Sequence, residues 1–276
     1  MTVKPNFLFI GPDKSGSSWL YEALSHAEDV FVAPAKDLYY FDRYYHLGEK
    51  WYVDQFRGWG GESAVGEICH DYLFSSMAAS RIARDLPNIK LLVSLRDPVA
   101  RTFSHYLYLR RSGLLKSSLL NALGDWPELV NNSLYGKHLC SYYEFFSKDQ
   151  IHIGWFDELS GQPLAYLNRV HNFLRVPEVA EVPVGGVVRG ASYARFPALA
   201  KAVKIGAGVA RDIGLAQAVS SIKHSSLVTG VLYKEFEVES RPVISSEETM
   251  VLREIFYRDV ERLEAMIGVD LRHWLE

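Results

Sequence analysis

The chain has 276 residues, of which 48% are hydrophobic and 13% aromatic, enough apolar content for a buried core. Its 30 basic and 33 acidic residues leave a net charge of -3, which excludes a global electrostatic pull toward nucleic acid or an anionic membrane. Cys69 and Cys140 are the two cysteines and form no CxxC pair, so neither a disulfide framework nor a structural zinc site is expected.

The first apolar run, residues 7–10, begins with no charged-then-apolar leader before it. No apolar stretch reaches about 18 residues, so a cytoplasmic protein without a membrane span is expected. That first run opens the segment FLFIGPDKSGSSWLYEAL, residues 7–24. It stops at Gly11, a short turn follows, and Gly16-Ser17-Ser18 starts an amphipathic stretch. A strand, a glycine-bounded loop and a helix N-terminus together cradle phosphates, because the N–H groups and the helix dipole both face the anion. A Walker A loop places its lysine directly after the second glycine. Here Ser17 holds that place and Lys14 precedes Gly16 by two residues, which argues against an ordinary ATP or GTP enzyme.

Further apolar bursts fall at residues 63–68, 89–95 and 151–155, and stretches with helical spacing at residues 73–85, 98–111 and 139–146. Short apolar strands alternating with amphipathic helices predict an α/β fold, a P-loop-like parallel β-sheet flanked by helices on both faces. A single domain over residues 1–276 is expected. Ligands of such sheets bind at the carboxyl ends of the strands, where both the Gly11–Gly16 loop and Arg96 fall. Beyond residue 176 the pattern weakens. Residues 176–191 read as a loop, residues 198–217 as a weak helix pair or a flap, and residues 180–243 as a helical or flexible acceptor-side insertion. Residues 247–267 predict a helix, with Leu252, Ile255, Phe256, Val260, Leu263 and Ile267 on one face.

A second anion-binding pattern lies in KLLVSLRDPVARTFSHYLYLRR, residues 90–111. A strand delivers Arg96 at its end, Asp97-Pro98 starts a helix, and Ser104 lies two turns into it. Guanidinium and hydroxyl together suit a phosphate, since the planar Arg fork grips oxyanions bidentately.

Together the two patterns resemble the sulfotransferase family, which uses 3′-phosphoadenosine 5′-phosphosulfate (PAPS). The family's 5′-phosphosulfate loop, G-x-P-K-S-G-T-T-W-L, is similar to Gly11-Pro12-Asp13-Lys14-Ser15-Gly16-Ser17-Ser18-Trp19-Leu20, with Asp13 where the family has Pro. Its 3′-phosphate motif is similar to Arg96-Asp97-Pro98 followed by Arg101, Ser104 and Tyr106. Lys36-Asp37-Leu38-Tyr39-Tyr40-Phe41-Asp42 resembles the K-E-x-x-F-F-D segment of the bacterial and heparan-type branch, and Gly66-Glu67-Ile68-Cys69-His70-Asp71-Tyr72-Leu73 its GE-x-S-P-x-Y-L. Tyr135-Gly136-Lys137-His138-Leu139 and residues 150–159 resemble two further blocks.

The resemblance implies PAPS as donor, PAP as product, no metal, no nucleic acid, and a small-molecule or carbohydrate acceptor bearing a hydroxyl or an amine. Sulfuryl transfer builds charge on the bridging oxygen and so needs an electrophilic cradle. Lys14, with the loop from Ser15 through Gly16, Ser17 and Ser18 to Trp19, is expected to hold the 5′-phosphate and leaving oxygen. Arg96 and Ser104 are expected to hold the 3′-phosphate, with Arg189-Gly190 where cytosolic members carry a further 3′-phosphate grip. The acceptor must lose a proton to a base. Asp37 stands where heparan-type members carry a catalytic Glu, and His70 near the catalytic His of cytosolic members; Glu67 is placed to orient one of them. Trp19, Tyr39, Tyr40, Tyr44, Tyr45, Trp51 and Tyr106 are divided between stacking and packing. Residues 36–59 and 180–243 are expected to set the acceptor. A P-loop nucleotide kinase and a non-catalytic phosphonucleotide-binding module are the alternatives.

Overall fold

The computed structural model describes residues 3–184, 192–194, 206, 233–235 and 242–276. Two compact units are distinguished, one of Met1–Arg96 with His138–Val188 and one of Asp97–Lys137 with Arg189–Glu276.

The first unit is organised by a five-stranded parallel sheet: β1 (Phe7–Gly11), β2 (Val30–Val32), β3 (Ala64–Ile68), β4 (Lys90–Leu95) and β5 (Ile151–Trp155) in the order β2-β3-β1-β4-β5. β1 is buried along its whole length, as a central parallel strand covered on both faces requires. From β1 the chain builds β2 and β3 on one side and then crosses to β4 on the other. That reversal puts a topological switch point between the carboxyl ends of β1 and β4, the position at which α/β sheets bind ligands.

Four of these strands were predicted; β2 was not. Three residues are too few for a period to register, and β2 is held by pairing with Ala64–Gly66 and by Asp29, which accepts from Ser63 N and Oγ at 2.9 and 2.6 Å. Helix α1 (Ser17–Ser25) begins where the amphipathic stretch was expected to start. α2 (Gly48–Asp54) precedes β3, and α3 (Ser76–Asp85) starts three residues later than predicted, because the Ser75 hydroxyl accepts from Ala78 N and ends a 3₁₀ turn over Tyr72–Phe74.

In the second unit, α4 (Pro98–Arg111) has the predicted bounds, with the Asp97 carboxylate accepting from Val99 N and Ala100 N and Pro98 at the first position. Short helices α5 (Leu119–Asp125) and α6 (Glu128–Asn131) follow it. α7 (Tyr135–Tyr143), of which only Tyr135–Lys137 fall in this unit, begins a turn before its predicted start, since the Asp259 carboxylate accepts from Gly136 N and Lys137 N at 2.8 Å each. A residue more than 120 positions away in sequence supplies that cap.

Back in the first unit, β5 leads into α8 (Phe156–Gly161) and α9 (Pro163–Leu174). Their Leu159, Tyr166, Leu167 and Val170 pack with Phe7, Phe9, Trp19 and Leu20 in one core cluster. The second unit also holds a short antiparallel pair, β6 (Ser192–Ala194) with β7 (Tyr233–Glu235). It closes with α10 (Ser246–Ile267), opened by a Ser245–Glu248 capping box and ended by Gly268 at φ 73°. Of its predicted face, Leu252, Phe256, Val260 and Leu263 are buried while Ile255 is exposed. No helix among the described residues is long and apolar enough to cross a membrane.

Candidate active site

The loop between β1 and α1 is shaped by backbone requirements. Gly11 has φ 131°, and a Cβ there would stand 2.5 Å from the His70 carbonyl oxygen. Gly16 has φ 90° and packs so closely on α8 that a Cβ would meet Leu159 Cδ2 at 2.2 Å. Lys14 is left-handed at φ 65°, a conformation that costs a non-glycine residue about 1 kcal/mol or more. Two bonds from β4 and its end hold it there: Ser94 Oγ donates to Ser15 O at 2.7 Å and Arg96 Nη1 to Lys14 O at 3.1 Å. The Arg96 guanidinium lies 4.4 Å from the centre of the Phe156 ring. The expectation that the loop and Arg96 meet at the strand ends is therefore met by a direct bond.

Gly16 offers no side-chain cap to α1, so the N–H groups of its first turn are left for another acceptor. Ser15 is fully buried, yet its Oγ has no hydrogen-bond partner. An orphaned buried hydroxyl beside uncapped N–H groups fits an oxyanion ligand. Ser17 is buried and Ser18 half-buried at the same helix start. The Trp19 ring belongs to the core, edge-on to Tyr166 at 6.2 Å, which removes it from the stacking surfaces considered for a nucleotide base.

Next to this loop, the chain after β2 turns through two more left-handed residues, Asp37 at φ 63° and Tyr39 at φ 54°. Asp37 N donates to Ile68 O at 2.9 Å, and Tyr40 N to the Tyr72 hydroxyl at 2.9 Å. Tyr72 in turn donates to Glu67 Oε1 at 3.0 Å, which also accepts from Tyr52 at 2.8 Å. Glu67 thus orients tyrosines rather than His70 or Asp37, because β3 directs its side chain into a fully buried aromatic cluster. Burial pushes the Glu67 carboxyl up to about 8, against the two tyrosine hydroxyls that favour its ionised form. Tyr40 and Tyr52 stack at 4.3 Å in the same cluster, so both are packing residues.

The two base candidates meet. His70 Nδ1 lies 2.6 Å from Asp37 Oδ1, and Lys36 Nζ approaches the same oxygen at 3.2 Å. Asp37 is 1% exposed and the His70 side chain 21%, so the imidazole is the reachable member of the pair. Its Nε2 is 3.2 Å from Asp71 Oδ1, and the Arg43 guanidinium pairs with the other Asp71 oxygen. Sequence reasoning passed over Ser94, Arg43 and Asp71. The adjacent His70-Asp71 was the one visible signal; nothing local marks the others.

Residues 4–184 match the Sulfotransferase domain. The chain belongs to that family. As a sulfotransferase-family chain, it is 30% identical over 185 residues to heparan sulfate glucosamine 3-O-sulfotransferase 3B1 of Mus musculus, covering 63% of this chain and 47% of the relative. Over 105 residues it is 34% identical to the membrane-associated sulfotransferase kil1 of Dictyostelium discoideum, covering 37% of this chain and 22% of the relative. The chain thus spans half or less of these relatives' length. A sulfotransferase from Alicyclobacillus acidocaldarius shares the fold with a TM-score of 0.73, at 24% identity over 99% of this chain and 100% of that one. Mouse sulfotransferase SULT7A1, solved with PAP, shares it with a TM-score of 0.55 at 13% identity, over 99% of this chain and 88% of that one.

Ser104 belongs to the second unit, half-buried on α4. On the same helix Arg101 is fully buried and donates to Leu129 O and Ser133 Oγ at 3.3 and 3.2 Å, which makes it a structural arginine. Tyr106 is buried, its hydroxyl donating to Ser117 O at 3.0 Å. Arg189-Gly190 and, apart from residue 206, residues 198–217 lie outside the described residues.

Proposed function

We propose that this chain transfers the sulfuryl group of PAPS to a hydroxyl or amine of a saccharide or small-molecule acceptor, releasing PAP. The observation that carries the reading is the Asp37–His70 pair set against the start of a phosphate loop whose lysine carbonyl is bound by Arg96. Family membership supports PAPS as the donor, and the mouse structure with PAP shares the fold. The 3-O-sulfotransferase relatives support a saccharide acceptor.

In this reading Lys14, the first-turn N–H groups of α1 and the Ser15, Ser17 and Ser18 hydroxyls bind the 5′-phosphosulfate and offset charge on the leaving oxygen. Arg96 binds the 3′-phosphate. His70 takes the acceptor proton at Nε2 while Asp37 holds Nδ1, as a carboxylate does in a hydrolase triad. The orphaned Ser15 hydroxyl supports an anion at the loop.

Transfer of label from PAPS to a panel of saccharide, phenol and amine acceptors, without added metal, tests the reading. Wild type is expected to turn over, and Lys14→Ala to lose about 10²–10³-fold in kcat while still binding PAP, the scale of one electrophilic donor. Magnesium-dependent ATP turnover with no transfer from PAPS would instead identify a kinase.

A further inference from the structure

His70 is bracketed by two carboxylates, and the second one has no part in the chemistry proposed above. Asp37 Oδ1 faces Nδ1 at 2.6 Å, and Asp71 Oδ1 faces Nε2 at 3.2 Å. The other Asp71 oxygen pairs with Arg43. Arg43 is itself fixed: its guanidinium lies 4.1 Å over the Tyr39 ring, and that ring meets the His70 imidazole edge-on at 5.9 Å. Asp71, Arg43, Tyr39 and His70 thus form a closed circuit of contacts on the reachable side of the imidazole. Lys36 backs Asp37 on the buried side and Arg43 backs Asp71 on the other, so the imidazole lies between two carboxylates that are each paired with a cation.

We propose that Asp71, anchored by Arg43, is a positioning residue for the transfer step, fixing the Nε2 edge of His70 and stabilising the imidazolium formed when that nitrogen takes the acceptor proton. This rests on the reading of His70 as base. The step balances: the acceptor oxygen bonds to sulfur, the bond from sulfur to the bridging oxygen breaks with its electron pair leaving on PAP, and the acceptor proton moves to Nε2. A ring that gains a positive charge between two carboxylates is stabilised by both. Arg43 limits the cost of holding a carboxylate next to the neutral ring, and keeps Asp71 from turning away toward solvent.

The groups that face the imidazole are Asp37 from the turn after β2, Asp71 from its own turn, and the Tyr39 ring. Asp71→Asn keeps the size of the side chain and removes its charge. It is expected to lower kcat about tenfold or more, with the KM for PAPS and the affinity for PAP unchanged. In a His70→Gln background the same substitution should add nothing, since Asp71 acts through the imidazole. Arg43→Lys should keep most of the rate and Arg43→Gln lose part of it. An Asp71→Asn loss that persists in full in the His70→Gln background overturns the positioning role, as does an unchanged kcat.

A long-range proton–nitrogen spectrum of the His70 ring provides a readout without turnover. At equal pH, Asp71→Asn should move the Nε2 resonance and leave the Nδ1 resonance in place. An unchanged Nε2 resonance overturns the positioning role whichever group is the base. A moved Nε2 resonance combined with wild-type turnover of His70→Gln upholds the contact and overturns His70 as base.

Discussion

In the loop after β1, shape is held by glycines and by bonds to carbonyls: Gly11 and Gly16 occupy places where a Cβ would collide, and Ser94 and Arg96 grip the carbonyls of Ser15 and Lys14. In the turn after β2, no glycine stands at either left-handed position, and shape is held by side chains: the Tyr72 hydroxyl binds Tyr40 N, and Lys36 and His70 flank the Asp37 carboxylate. A loop shaped by backbone constraints depends little on which side chains it carries, whereas a turn shaped by side chains depends on each of them.

The strongest challenge to that contrast is the point where the two regions touch. Gly11→Ala would drive a Cβ against the His70 carbonyl at a φ unfavourable to alanine, and is expected to cost about 3 kcal/mol or more of stability. Chemical denaturation measures this; a loss near zero would mean that the two segments move apart freely and are not one site.

The next effect belongs to the turn alone. The folded protein holds the Glu67 proton up to about 8, whereas an unfolded chain loses it near the ordinary 4.5. Between those values the native state binds more protons than the unfolded state, so this group's share of the stability is fully present below 4.5 and is lost as pH rises toward 8. The contribution is about 1 kcal/mol per pH unit. Glu67→Gln, which keeps a neutral side chain of the same shape, should flatten that slope in thermal melts taken across the window. An unchanged slope would remove Glu67 as the source.

The smallest expected effect belongs to the loop. Ser94→Ala removes one bond to the Ser15 carbonyl and is expected to weaken PAP binding by about 1 kcal/mol with the fold intact. Calorimetric titration of PAP measures this, and wild-type affinity would show that the two glycines and Arg96 suffice to hold the loop.

The same contrast explains what was legible in the sequence. β1, the loop, α1 and the stretch from β4 through α4 are contiguous, and each carries its own signals: an apolar run, glycines, an Asp cap and a proline at a helix start. The turn after β2 carries none of comparable strength. Its left-handed residues are Asp and Tyr, its strand is three residues long, and its stabilising partner Glu67 reads in sequence only as the second residue of a GE block. The expectation that Glu67 orients His70 or Asp37 failed because the side-chain direction on β3 is decided by pairing with β1 and β2. The early start of α7 failed to register for a related reason, since its cap comes from Asp259.

The sequence by itself determined the parallel α/β order, the glycine-bounded loop with its displaced lysine, and Arg96 at a neighbouring strand end, since local periodicity and backbone chemistry encode all three. Tertiary structure decided that Arg96 binds the Lys14 carbonyl, that Trp19 is core, and that Asp37 and His70 are one hydrogen-bonded pair flanked by Asp71. Those facts depend on which strands lie side by side, and register across a sheet joins residues that no local pattern connects.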